Sequence, residues 1–230
     1  VGHGAADAGT NGNGKVAIGY HALKTATDGS YQVAIGYEAL KSTTTGTGNV
    51  AIGFRVGQNH TTGVNNTGIG STALYSITEA SRNTAVGNSA LYTITDAGHD
   101  NVAVGFETLN LNTGGDFNIA VGNYALKAQT TASYNTAVGY RAGTNLTTGY
   151  ENTFVGVDAG VTGTTANKNV GIGYDALEAI TTGSTNTVIG YQAALALTTG
   201  SNNAFLGYQT GSASSPSGNI TTQSNYVVLG

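Results

Sequence analysis

Residues 83–98, NTAVGNSALYTITDAG, have a near-twin at residues 135–149, NTAVGYRAGTNLTTG. The step N-T-A-V-G, or a close variant, returns along the whole chain, and its spacing decides the fold. Taking the Gly that closes each step as an anchor gives Gly2, Gly19, Gly36, Gly53, Gly70, Gly87, Gly105, Gly122, Gly139, Gly156, Gly173, Gly190, Gly207 and Gly230. Eleven of the thirteen intervals are 17 residues. The exceptions are 18 after Gly87, where TDAGHDN (95–101) holds one extra residue, and 23 after Gly207, where SASSPSGN (212–219) holds the one proline, Pro216. Insertions of this kind map to loops on one side of a repeating stack.

Columns read down this register show which slots are chemically fixed. Four residues before the anchor stands Asn in ten successive repeats: Asn49, Asn66, Asn83, Asn101, Asn118, Asn135, Asn152, Asn169, Asn186 and Asn203, preceded by Lys15 and Gln32. Eight after the anchor is Thr, from Thr10 to Thr198, with Ser215 in the last slot. The residue before the anchor is always Val, Ile or Leu, from Val1 and Ile18 to Leu229, which predicts a buried column. Two before it stands mostly Ala (Ala17, Ala34, Ala85, Ala137), replaced toward the C-terminus by Phe154, Val188 and Phe205. One after the anchor an aromatic is common, as at Tyr20, Tyr37, Phe54 and Tyr191.

A unit of 17 residues is too short for a helical hairpin, which needs about 33 or more, and shorter than a leucine-rich repeat of about 20–29. It predicts an all-β chain: a parallel β-solenoid, or β-roll, of about 13 stacked 17-residue coils over residues 1–211, followed by an irregular loop and final strand over 212–230. Successive coils then lie ~4.8 Å apart and every side chain stacks on its copy. A buried Asn column can run amide to amide along the axis while satisfying turn backbone groups, which explains why the Asn returns. The Thr column can do the same through its hydroxyl.

Two surfaces follow from the columns. Two after the anchor lie His21, Glu38, Arg55, Arg141, Asp158 and Asp175, a polar column expected to face water, with Glu38–Arg55 and Arg141–Asp158 pairing between coils. The Ala/Gly strip reads as a face closely approached by copies of itself in other chains; the alternative is a narrow interior that admits only small residues. Phe154, Val188 and Phe205 are expected to change the packing there.

Composition excludes several function classes. Eight Lys and Arg against twelve Asp and Glu leave a net charge of -4, with no basic stripe for a phosphate backbone, so nucleic acid is not an expected partner. There is no Cys for a disulfide or thiolate site. No apolar run approaches the ~18 residues of a membrane span, and VGHGAADAGT is not a signal peptide, so no membrane insertion is expected. GTNGNGKV (9–16) follows a phosphate-loop spacing but puts Val16 where Ser or Thr must hold the metal. His3, His21, His60 and His99 fall in four different columns, without metal-ligand spacing, and no G-x-S-x-G elbow occurs. The expectation is therefore a chain that is not an enzyme, with no cofactor, no metal and no catalytic residue. A glycan-cleaving fibre using stacked acids such as Asp158 and Asp175 is one alternative. An ice- or crystal-binding solenoid is another, set aside because Thr61-Thr62, Thr147-Thr148 and Thr198-Thr199 are adjacent residues, which in a strand point to opposite sides.

NTAVGYRAGTNLTTGYEN (135–152) and NVGIGYDALEAITTGSTN (169–186) resemble the N-T-A-V-G-Y-x-A-L repeats of bacteriophage tail-fibre shafts and, more distantly, the head repeats of trimeric autotransporter adhesins. The resemblance covers nearly the whole chain. It implies a homotrimer of identical chains, an extracellular location on a virion tail fibre or bacterial surface, and a structural shaft that spaces and presents a region binding a cell-surface glycan or protein receptor. Within the chain, the excursion carrying Ser212, Ser214, Ser215, Pro216 and Ser217 is the candidate contact loop, with an architectural transition loop as its plain alternative. The chain starts and ends in the same phase of the repeat, which predicts a segment of a longer polypeptide with a C-terminal region to follow.

Overall fold

The computed structural model describes residues 2–6, 12–214 and 217–230. The expectations placed on Val1, Thr10, Ser215 and Pro216 and on the start of the 9–16 stretch lie outside the described residues. The chain forms two compact units, Val1–Phe117 and Asn118–Gly230. The first contains β1 (Val16–Ile18), β2 (Val33–Ile35), β3 (Val50–Ile52), β4 (Thr67–Ile69), β5 (Thr84–Val86) and β6 (Val102–Val104). The second contains β7 (Ile119–Val121), β8 (Thr136–Val138), β9 (Thr153–Val155), β10 (Val170–Ile172), β11 (Thr187–Ile189), β12 (Ala204–Leu206) and β13 (Val227–Leu229). Within each unit successive strands pair in parallel and in register, Ala34 on Ala51 and Ala137 on Phe154. The chain is a parallel β-solenoid built from thirteen three-residue strands, and the described residues contain no helix.

The orientation of the strands reverses one expectation. In each strand the middle side chain points into the coil: Ala34, Ala85, Ala103, Ala120 and Ala137 are fully buried. The Val/Ile/Leu column points outward, with Ile18 46%, Ile69 38% and Leu206 53% exposed. The small strip is therefore interior, not a seam between chains, and the column before the anchor is not buried. The reason is the width of a 17-residue coil. Its interior must also hold the Asn column, the Leu four after the anchor (Leu23, Leu91, Leu126) and an apolar residue seven after it (Ile77, Leu146, Leu197), all fully buried. Little space remains opposite the strand.

In most coils that space is shared reciprocally between the mid-strand residue and the residue six positions later; where both are small, at Ala51/Gly57 and Ala137/Gly143, side chains of neighbouring coils (Leu40; Leu126 and Phe154) reach toward the glycine. Ala85 accompanies Leu91 and Ala120 accompanies Leu126; Val188 accompanies Ala194; Phe154 accompanies Gly160 and Phe205 accompanies Gly211, both rings at most 1% exposed. A Cβ on Gly160 would stand 2.5 Å from Cε1 of Phe154. The C-terminal Phe and Val residues thus leave the packing scheme unchanged, because the partner slot shrinks as they grow, as close packing at constant volume demands.

Tight corners close the coil. The residues two and four after the anchor adopt left-handed backbone, as at Glu38 (φ 55) and Leu40 (φ 48). Such a conformation costs a non-Gly residue roughly 1–2 kcal/mol. It persists because it aims the backbone at the neighbouring coils: Glu38 N–H donates to Tyr20 O at 2.8 Å and Leu40 N–H to Val56 O at 2.9 Å. The anchor itself is fixed by crowding, since at Gly53 (φ 136) a Cβ would run into the carbonyl oxygen of Gly70 in the next coil.

Candidate functional site: ladders, the sheet face and the 212–217 loop

The Asn column is interior. Asn66 donates its backbone N–H (2.9 Å) and its Nδ2 (3.2 Å) to Asn49 Oδ1, and Nδ2 also donates to Ala80 O at 2.9 Å. The same set recurs at Asn83, whose Nδ2 reaches Gly98 O, and at Asn101, whose Nδ2 reaches Gly115 O at 2.8 Å. In the second unit Asn118 Nδ2 donates to Ala132 O, and the chain of amides runs through Asn135, Asn152, Asn169 and Asn186 to Asn203. Each Asn therefore ties three pieces of backbone: its own strand start, the next coil's strand start, and the corner ten after the next anchor. The ladder ends where Tyr226 takes the slot, its backbone N–H donating to Asn203 Oδ1 at 2.9 Å. At the other end Gln32 Nε2 reaches the Gly46 carbonyl in the manner of an Asn.

The Thr column also bonds along the axis. Thr61 Oγ1 donates to Thr78 O at 3.1 Å, Thr147 Oγ1 to Thr164 O at 2.9 Å and Thr181 Oγ1 to Thr198 O at 3.1 Å. Thr198 Oγ1 donates to Thr221 O at 3.0 Å. Thr221 thus continues this column after the excursion; the Ser215 of the sequence register lies outside the described residues.

The outward side of each unit is a sheet face whose third strand residues are all Val, Ile or Leu and whose first residues are Val, Ile or Ala interspersed with Thr67, Thr84, Thr136, Thr153 and Thr187. Its two rows are the first and third strand residues, and beside them runs the aromatic column: Tyr20, Tyr37 and Phe54 stack at 5.2 and 5.4 Å, and Tyr174, Tyr191 and Tyr208 at 5.3 Å per step. Ring faces cover one another and edges meet solvent, so the column is not a row of open platforms for a sugar ring. The polar column is half-buried instead of fully solvated, and Glu38 is 5% exposed. Its side chains lie against the aromatic rings, with the Arg55 guanidinium 5.0 Å from the Phe54 centroid. The expected pairs form: Arg55 Nε lies 3.2 Å from Glu38 Oε2 and Arg141 Nε 3.0 Å from Asp158 Oδ1. A hydrogen bond from Lys41 holds the Glu38 carboxyl below its usual range. Burial, reinforced by Asp175 and Asp158, pushes the Glu178 carboxyl up.

The histidines occupy separate settings. His60 is fully buried, its Nδ1 3.0 Å from Thr43 Oγ1, and burial pushes its pKa down to about 4. His99 Nδ1 accepts the Ser81 N–H at 3.0 Å. Among the described residues no group of three or more His, Asp or Glu side chains is placed to hold a metal ion, and no helix is long and apolar enough to cross a membrane. An open depression of about 300 Å³ near the C-terminus is lined by Thr185, Asn202, Asn225, Tyr226 and neighbours, without carboxylate, His, Lys or Arg.

The candidate loop divides. Ser212 is 7% exposed and its Oγ donates to Gln209 O at 2.6 Å, so it belongs to the corner. Ser214 and Ser217 are exposed; Ser215 and Pro216 lie outside the described residues. Ile220 re-enters the core at 3% exposure with its N–H on Gly211 O at 3.0 Å, and β13 then pairs with β12. The excursion therefore leaves and rejoins the stack at adjacent points.

No protein-family model, curated protein or solved structure matches this chain.

Proposed function

We propose that this chain is a shaft segment of an extracellular fibre of identical chains, a homotrimer, that spaces and presents a receptor-binding region on a phage tail fibre or bacterial surface. The observation that supports the reading is the uncovered sheet face. Large side chains stand outward on consecutive strands, among them Ile119 (44%), Val138 (37%), Ile172 (36%), Ile189 (39%) and Leu206 (53%), beside an equally exposed aromatic column. Contiguous apolar faces of this kind mark association surfaces. Identical repeats present the same rows on every copy, which suits closed symmetric assembly. The interior ladders, the hydrogen-bonded corners and the segregated ion pairs are then devices of a rigid spacer. Receptor contact, where this segment has any, falls on Ser214 and Ser217 in the excursion, outside the ladder columns.

Sedimentation equilibrium of the isolated chain tests the reading. A trimeric mass is expected, and Ile172→Lys, which puts a charge on the outward face, is expected to return the chain to monomers with an unchanged β spectrum. A monomeric wild type at high micromolar concentration would remove the multichain proposal.

A further inference from the structure

The adjacent Thr pairs do not lie in strands. Residues 130–131, 147–148, 164–165, 181–182, 198–199 and 221–222 are bends at the coil corner, so strand alternation does not apply to them. The first Thr of a pair donates its hydroxyl along the axis at Thr130, Thr147, Thr181 and Thr198, while Thr164 and Thr221 take part through their carbonyl oxygens. The second, at Thr131, Thr148, Thr165, Thr182, Thr199 and Thr222, is exposed in all six coils, and its hydroxyl makes no hydrogen bond among the described residues.

The fold does not require this second row. In the first unit the equivalent slot holds Asp28, Thr45, Thr62, Glu79, Asp96 and Gly114, and the ladder beneath it still forms, Thr44 Oγ1 donating to Thr61 O at 3.2 Å. In the second unit the slot is Thr every time, even after the six-residue excursion. Charge is also absent from every one of these corners: residues 128–133, 145–150, 162–167, 179–184, 196–201 and 219–224 contain no Asp, Glu, Lys or Arg, whereas four of the six matching corners of the first unit carry a carboxylate, at Asp28, Glu79, Asp96 and Asp116. The second unit's charges all sit in other columns, as at Arg141, Glu151, Asp158 and Lys168.

We propose that this corner of the second unit binds ice. The row repeats at the coil spacing of ~4.8 Å, close to an oxygen repeat of the ice lattice, so identical groups meet equivalent lattice positions at every coil. Each Thr offers a methyl group, around which water orders, and a free hydroxyl that can occupy a lattice hydrogen-bonding position. The β-branched side chain is stiff at χ1, so little freedom is lost on contact. Ionised groups hold their own hydration too firmly to merge into a lattice, and the corner has none. Six weak contacts on one rigid frame act together. The inference does not rest on the fibre proposal, because the Thr corner and the outward sheet face are different surfaces of the coil.

The test is thermal hysteresis of the full chain at millimolar concentration, together with the shape of ice crystals grown in it. The wild type is expected to freeze below its melting point and to facet the crystals. The double variant Thr165→Lys/Thr182→Lys is expected to lose both effects while keeping its circular-dichroism spectrum and melting temperature, since the first unit carries charged residues in this slot. The control, Thr45→Lys/Thr62→Lys in the first unit, is expected to keep the wild-type effects. Absence of hysteresis in the wild type, hysteresis that survives the second-unit substitutions, or equal loss in the control would each overturn the proposal.

Discussion

The ring of Phe154 occupies the place that a side chain on Gly160 would need: a Cβ there would stand 2.5–2.6 Å from three ring carbons. Phe154→Ala is expected to cost ~3–5 kcal/mol as a cavity mutation. Gly160→Leu is expected to overpack by ~1–3 kcal/mol or more, although Leu is the usual residue of that slot. The double variant recreates the pairing of Ala120 with Leu126 and should recover much of the combined loss. Urea unfolding of the four proteins gives the coupling energy; strictly additive losses would show that the two positions do not share one volume.

Asn135→Leu removes an Oδ1 that accepts from Asn152 and an Nδ2 that donates to Gly149 O. Each group left unpaired in the interior costs ~1–3 kcal/mol, so a sharp fall in the unfolding midpoint is expected. An exposed polar residue such as Asn145, changed to Ala, should shift it far less. Equal effects would mean that the ladder contributes no more than a surface contact.

His60 makes stability depend on pH in a defined direction. Its folded pKa of about 4 lies below the ordinary 6.5, so the unfolded chain binds more protons between those values. Stability is then full above about pH 6.5 and declines as pH falls toward 4, by about 3 kcal/mol from this group. His60→Ile places in this coil the residue that the next carries at Ile77, and should flatten that part of the stability–pH curve relative to wild type. Parallel curves for the two proteins would show that His60 is not held neutral by burial.

Deleting residues 212–217 should leave the solenoid intact. The excursion leaves at Gly211 and rejoins at Ile220, whose N–H already bonds Gly211 O. The shortened chain is expected to keep its β spectrum and association state, with a small stability change. A fibre carrying the deletion that no longer attaches would assign the contact role to Ser214, Ser217 and their neighbours; unchanged attachment would leave the loop an architectural one.

The sequence by itself determined the period, the strand positions, the parallel in-register stack and the columns, because a 17-residue repeat this regular has few ways to satisfy its backbone. The inward and outward sides of the strand are encoded in it as well. Asn83 and Ala85 are two residues apart, so burying the Asn ladder in a strand of period two already places Ala inside and Val86 outside. Hydrophobicity argued the opposite, since Val and Ile look like core and Ala looks like a contact strip. Tertiary structure settled the parity, because the volume inside a coil is shared among the Asn amides, Leu91 and Ile94 and only a small side chain fits between them. It alone also decided where the Thr pairs point. Adjacent residues oppose one another in a strand, but Thr181 and Thr182 sit in a corner that bends the chain and leaves the second side chain in solvent, and a corner's direction comes from the backbone of the stacked coils.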